Sequence, residues 1–281
     1  MRWPWAAVLT AFACVVSAQD ISVTLQTLNG QRQFRVGERI PVLLTFTAPI
    51  TSRYLVWTVP SRQIVGEEYD RFVIEPVEGT VTFPERRAAG YNGIAYEPEP
   101  FRLTPLTTKL DANEWIAIRE PGHHRIAVET RRAAPWHERS KPEAPITLRS
   151  NAIEIDAVTP EPGWAEGVIK RALDVISQIT PTRSPFGDQE AARALRFLGT
   201  REAAQALVRF HLNGPPGVQY EIVQGLRESP YRDEIIAELE AGLATPGAQI
   251  SQPRQVRDTL STLKTRGENQ LPKRQVGDLP H

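Results

Sequence analysis

TTKLDANEWIAIREPGHHRIAVETRR, residues 107–132, is the stretch that decides the fold of the first half of the chain. From His124 onward the side chains alternate. His124, Ile126, Val128 and Thr130 fall on one face and His123, Arg125, Glu129 and Arg131 on the other, with Ala127 small enough for either. A period of two with charge on one side is the pattern of a half-buried antiparallel strand. Pro121-Gly122 just ahead is a turn pair, because proline presets φ and glycine reaches positive φ without steric cost. Upstream, Trp115, Ala117 and Arg119 oppose Ile116 and Ile118. A second short strand is therefore expected to enter the turn and complete a hairpin, with Asp111-Ala112-Asn113 bending the chain into it.

Working outward, the same alternation recurs on both sides. Ile21, Val23 and Leu25 share one face, as do Ile40, Val42, Leu44 and Phe46, and Asn29-Gly30 between them is a tight-turn pair. Further strands are expected at residues 54–59, 72–74 and 81–83, and Trp57 is either a core tryptophan or a surface aromatic. Residues 146–158 (ITLRSNAIEIDAV) supply a last strand, with Ile153, Ile155 and Ala157 inward and Glu154 and Asp156 outward. Two polar, turn-rich stretches interrupt this series: residues 85–100 (ERRAAGYNGIAYEPEP), and 131–145, which carries Trp136-His137. Such loops are either binding surface or plain connections.

Gly122, His124, Ile126 and Val128 after a Pro-Gly turn resemble the E–F corner of immunoglobulin-like and fibronectin type III-like β-sandwiches. His124 stands where the corner tyrosine would be, and Ile126 where an antibody domain has its second cysteine. FRVGERIPVLLTF, residues 34–46, is similar to the opening of exported sandwich domains. The resemblance implies a disulfide-free antiparallel Ig-like β-sandwich over residues 20–158. It implies architecture only, because this fold carries many unrelated functions.

Residues 159–163 (TPEPG) form a Pro-rich linker, after which the periodicity becomes helical. Val168, Ala172, Leu173, Val175, Ile176 and Ile179 fall near one stripe. Asp188 is placed to cap the next helix, Gly199-Thr200 to end it and cap another, and Ser229-Pro230 to start a further one. A last helix is expected over residues 253–265. Leu198 aligns with Leu226 and Leu207 with Ile236, at offsets of 28 and 29 residues. Helix pairs repeating in this way resemble HEAT-type repeats, shortened from that family's period of about 40 residues. The alternative is a plain helical bundle. An all-α, HEAT-like domain is thus expected over 164–265 and a disordered tail over 266–281.

The chain has 281 residues, length enough for two cores, and Lys and Arg balance Asp and Glu at 33 each. That balance argues against a dedicated nucleic-acid binder. Residues 1–18 (MRWPWAAVLTAFACVVSA) read as a cleavable signal peptide, cut after Ala18, which points to a periplasmic or secreted protein. The apolar run falls short of the ~20 residues of a membrane span, so none is expected in the mature chain. Ala11-Phe12-Ala13 before Cys14 lacks the leucine of a lipobox, so a lipoprotein is not the expectation, and removal of the leader would also remove the single cysteine.

Nothing in the sequence points to catalysis. His123 and His124 point to opposite faces of a strand and cannot share an ion, His137 has no second histidine at ligand spacing, and no metal or cofactor is expected. Neither a nucleophile elbow nor a phosphate-binding glycine loop occurs, and Glu67, Glu68, Asp70, Glu97 and Glu99 lack the pattern of a calcium loop. The expected function is that of a non-catalytic exported binding or scaffold protein whose partner is a protein or cell-envelope component. The loop residues Tyr91, Tyr96, Trp136, Arg131 and Arg132 are the candidate contacts. Regulation or inhibition of an envelope protease, and an unrecognised hydrolase, are the alternatives.

Overall fold

A computed structural model describes residues 20–58, 63–64, 67–83, 99–101, 105–137, 143–178, 185–214, 219–247 and 249–269. Among these, a β-rich N-terminal region precedes six helices. The strands are β1 (Ser22–Thr27), β2 (Gln33–Arg35), β3 (Pro41–Thr47), β4 (Tyr54–Val56), β5 (Gln63–Ile64), β6 (Glu67–Glu68) and β7 (Asp70–Glu75). They continue as β8 (Thr80–Thr82), β9 (Glu99–Pro100), β10 (Leu106–Asp111), β11 (Ile116–Ile118), β12 (Gly122–Pro135), β13 (Ile146–Arg149) and β14 (Ile153–Val158). The helices are α1 (Trp164–Ser177), α2 (Pro185–Leu198), α3 (Arg201–Asn213), α4 (Gln219–Glu228), α5 (Arg232–Ala244) and α6 (Pro253–Asn269).

β3 pairs antiparallel with β1 on one side and β10 on the other, so that Leu25 lies opposite Leu44 and Val23 opposite Phe46. After β10 a 3-10 turn at residues 112–114 breaks the ladder, and β11 pairs instead with β8. A second sheet is organised around β12. One side of β12 carries β7 and then β4, both antiparallel; the other carries β14 and then β13. β2 joins the outer side of β14 in parallel, and β9 the outer side of β4. β5 and β6 pair antiparallel with each other.

The inward faces of these sheets meet in one hydrophobic core that includes Leu44, Phe46, Ile74, Ile116, Ile126, Val128 and Ile155. Phe72 and Trp115 stack across it at 4.6 Å. The expected inward row His124, Ile126, Val128 and Thr130 is buried, as are Ile21, Val23 and Leu25. Trp57 is buried too, but outside this core, in a small cluster with Tyr69 and Ala134.

Three sequence expectations need correction here. The strands flanking Pro121-Gly122 do not pair with each other: β11 pairs with β8, whereas β12 pairs with β14 and β7. The turn carries the chain from one sheet to the other, because each strand buries its own apolar face against the same core. Alternation reports which face is buried, not which strand lies alongside. Second, β12 does not give way to a loop at Arg131 but runs on to Pro135, burying Arg132, Ala133 and Ala134. Third, residues 146–158 are two strands. Between them the Ser150 hydroxyl accepts from Val128 N at 3.0 Å, and the Asn151 side chain bonds Leu25 N and O at 2.8 and 3.0 Å. The interruption thereby ties the second sheet to β1 in the first.

The linker lies against the β region. Val36 N donates to Val158 O at 2.9 Å, Arg35 bonds Glu161 at 3.0 Å, and the Arg35 guanidinium lies over the Trp164 ring at 5.7 Å. Beyond it, α1 packs on α2, α2 on α4, α3 on α4 and α5, and α5 on α6. These contacts bury a second hydrophobic cluster that includes Ile176, Leu195, Leu207, Ile222, Leu226, Leu239 and Leu263. Thr200 caps α3 as expected, its hydroxyl accepting from Ala203 N at 3.2 Å. The other two expected caps fall elsewhere. α2 begins at Pro185, so Asp188 lies within it. α5 begins at Arg232, and the Ser229 hydroxyl accepts from Tyr231 N at 3.2 Å. α6 continues to Asn269, past the expected start of the tail. Residues 1–18, with the leader and Cys14, and residues 270–281 lie outside the described residues.

Candidate functional site

Three of the five loop residues singled out from the sequence, Trp136, Arg131 and Arg132, fall among the described residues. Tyr91 and Tyr96 lie outside the described residues. Arg131 is exposed. Trp136 is half-buried just past the end of β12, where its backbone N–H donates to Arg53 O at 2.7 Å. Arg132 has to be withdrawn as a contact residue, because its side chain is 0% exposed.

The reason lies in the strand period: Thr130 and Arg132 point inward and Arg131 outward. Arg132 meets Asp70 in a buried ion pair, with Nε 2.8 Å and Nη2 2.6 Å from Oδ2. The Thr130 hydroxyl donates to Asp70 Oδ1 at 2.7 Å, and Arg132 Nη1 donates to Trp57 O at 3.1 Å. Trp57 and Tyr69 stack alongside at 5.3 Å. A fully buried charge pair is costly to desolvate and persists where its geometry and added hydrogen bonds offset that cost. Here those bonds fasten the end of β4, the start of β7 and the last third of β12 to one another. They hold the end of β12, from which Arg131 points outward and beyond which Trp136 follows.

A larger ionic cluster joins the β region to the helices, and sequence reasoning missed it. Arg196 in α2 is fully buried and bonds three carboxylates: Glu221 at 2.6 Å, Glu114 at 2.8 Å and Glu228 at 2.9 Å. Arg193, one turn earlier, reaches Glu221 at 2.7 Å, Asp111 at 3.3 Å and Glu114 at 3.5 Å. Arg39 spans the same joint, bonding Asp111 at 2.7 Å and Glu190 at 3.2 Å. Behind it, the buried Asn113 side chain accepts from Ile40 N at 2.6 Å and donates to Glu38 O at 3.0 Å. The Glu114 carboxyl is pushed well above the usual carboxylate range, first by burial and then by the charge of Glu221, with Arg193 acting against both. Burial lowers the Arg119 guanidinium. Two glycines at positive φ allow the close approach. A Cβ on Gly37 would lie 2.9 Å from Leu198 O, and one on Gly199 would lie 1.6 Å from Arg119 Nη1. This cluster fixes the relative placement of sheets and helices.

The histidines are dispersed. His123 is exposed and 2.8 Å from Asp156, His137 is 3.6 Å from Glu143, and His211 is buried in the helical core between Gln219 at 2.8 Å and Thr259 at 3.0 Å. Burial lowers the His211 imidazole. His124, at the corner position, is buried, and neither ring nitrogen has a hydrogen-bond partner among the described residues. Among the described residues no group of three or more His, Cys, Asp or Glu is placed to hold a metal ion, and no helix is long and apolar enough to cross a membrane. No model of a known protein family matches the chain, and no curated protein matches it.

Proposed function

We propose that the chain is an exported, non-catalytic binding or scaffold protein. It would hold an Ig-like β-sandwich and a HEAT-like stack of helices in one fixed arrangement and engage a protein or envelope component through the loops at the Arg132 end of the sandwich. Several features support the architectural part. The parallel β2–β14 edge and the crossing at Pro121-Gly122 between sheets are features of Ig-like topology. The stacking of α2 on α4 and α3 on α5 is what a two-helix repeat produces. The signal-peptide reading of residues 1–18 supports export.

The observation that carries the functional part is the buried Asp70–Arg132 pair, with Trp57 and Tyr69 stacked beside it, at the end of β12 that leads to Trp136. Binding loops work from a rigid base, which lowers the entropy lost when a partner is bound. The test is capture from an envelope extract by the purified chain. Substitution of Tyr91, Tyr96, Trp136 or Arg131 by Ala should abolish capture of a specific partner and leave the melting temperature unchanged. Full capture by the quadruple variant, or capture of nothing by the parent chain, would overturn the assignment.

A further inference from the structure

The outward face of the second sheet carries a trough of about 250 Å³ whose lining shares no residue with the ionic joint. It is built by register. Ala127 at the middle of β12 lies opposite Val73 of β7, and the interruption at residues 150–152 lies on its other side. These small side chains make a low floor. Two residues along β12 the side chains become long, with Arg125 opposite Glu75. Arg149 stands on the far side, in the row of Glu129. Rows two residues apart on one face are separated by ~7 Å, so the two walls stand ~13 Å apart before their side chains lean inward. Ala127 is nearly buried although it points outward, because those walls rise above it.

The floor is stiff. The Ser150 hydroxyl accepts from Val128 N and donates to Asn151 O, and neither bond leaves the backbone free to close the gap. Two of the lining side chains, Arg125 and Arg149, have no ion-pair or side-chain hydrogen-bond partner among the described residues. The nearest carboxylate to Arg149 in register, Glu129, is 3.4 Å from Arg71 instead. Glu154, opposite Arg125 on β14, is not part of the lining. The lining thus holds two guanidinium groups against the single carboxylate of Glu75, over an apolar floor.

We propose that this trough binds a carboxylate carried on a short apolar body, gripped between Arg125 and Arg149 with the body on Val73, Ala127 and Ala152. Arginine is suited to the task because its planar fork of donors matches the two carboxylate oxygens. The ligand is a small aliphatic acid or the free carboxyl end of a peptide, two sources of one chemistry. Glu75 sets the sign of the preference: it disfavours a second negative charge beside the bound one.

The test is an amide-shift NMR titration of the purified full chain with propionate, with propionamide, and with N-acetyl-trialanine as free acid and as C-terminal amide. The two acids should shift the Val73, Ala127 and Ser150 signals and saturate with a Kd on the order of 1 mM for propionate, while the neutral amides leave them in place. Arg125→Gln and Arg149→Gln should each weaken binding by about tenfold or more, and Glu75→Gln should tighten it about two- to fivefold. Tighter binding of the peptide acid identifies a chain terminus as the ligand, and tighter binding of propionate a free acid. Equal shifts with the amides, shifts that never saturate, or an unchanged Kd in Arg149→Gln would overturn the proposal. All three side chains are exposed, so the variants should melt with the parent. The outcome is independent of the loop-directed capture experiment.

Discussion

Replacing Arg196 by Met tests whether the ionic joint holds the molecule in one piece. The guanidinium is fully buried and donates to Glu221 at 2.6 Å, Glu114 at 2.8 Å and Glu228 at 2.9 Å. Each such charge-assisted bond contributes about 1.5–3 kcal/mol, and the desolvation of the arginine opposes their sum. Methionine removes both terms but leaves three carboxylates facing one another without their central cation. Removing one partner from a buried ion pair costs about 3–5 kcal/mol, a large part of the roughly 5–15 kcal/mol that holds a domain together. Urea denaturation at pH 7 should show that loss. It should also split a joint transition in two, because the helical core and the sheet core are distinct clusters bridged by these charges.

The pH dependence gives a second reading of the same variant. Glu114 already has a folded-state pKa raised above its ordinary value, and loss of the Arg196 cation 2.8 Å from its carboxylate raises it further. A carboxyl raised in this way binds more protons folded than unfolded, so stability falls as pH rises from about 4.5 through the folded pKa. The gap between parent and variant should therefore widen as pH rises through the parent's folded pKa. A loss under about 1 kcal/mol at pH 7 would refute the argument, as would a gap that narrows as pH rises.

The remaining predictions concern single positions. Gly199→Ala should cost about 1–2 kcal/mol for its φ of +61° and more for the clash with Arg119, whereas Gly30→Ala, at φ +68° with nothing within 4 Å, should show the backbone cost alone; equal losses in denaturation would count against the contact. Arg132→Met should lose about 3–5 kcal/mol by leaving Asp70 buried and unpaired, and adding Asp70→Leu should recover most of it; a double variant no better than the single one would contradict the pairing. His124→Phe should leave stability unchanged or raise it by about 1–2 kcal/mol, because both ring nitrogens are buried without partners; a large loss in thermal melting would mean the imidazole makes a bond that the geometry does not show.

The sequence carried the inward face of β12 in its alternation but not the neighbours of that face. Ile116, Ile118, Ile126 and Val128 all read as buried, and all are. Sheet membership depends on which distant backbone supplies the hydrogen bonds, and β8 and β14 left no mark on the Pro121-Gly122 turn. Arg132 was misplaced for a different reason. Arg131 and Arg132 look like a basic pair when the strand is ended at Arg131, yet continuing the period by one residue assigns them to opposite faces, Arg131 outward and Arg132 into the interior.

The ionic joint was half legible. The offset of 28 residues that aligns Leu198 with Leu226 also aligns Arg193 with Glu221, and those two side chains meet at 2.7 Å. The same offset therefore aligns charges as well as apolar residues: basic residues three apart on α2 face Glu221 and Glu228 seven apart on α4, the spacing of one helix face. Asp111 and Glu114 could not be found in this way. They lie 82 residues before Arg193 and Arg196 respectively, in a turn whose local pattern indicates only a bend. What the shared offset reports is how α2 and α4 pack on one another. Docking the helices against the sheets took two carboxylates from outside that spacing, and a contact of that kind has no periodicity through which a sequence could announce it.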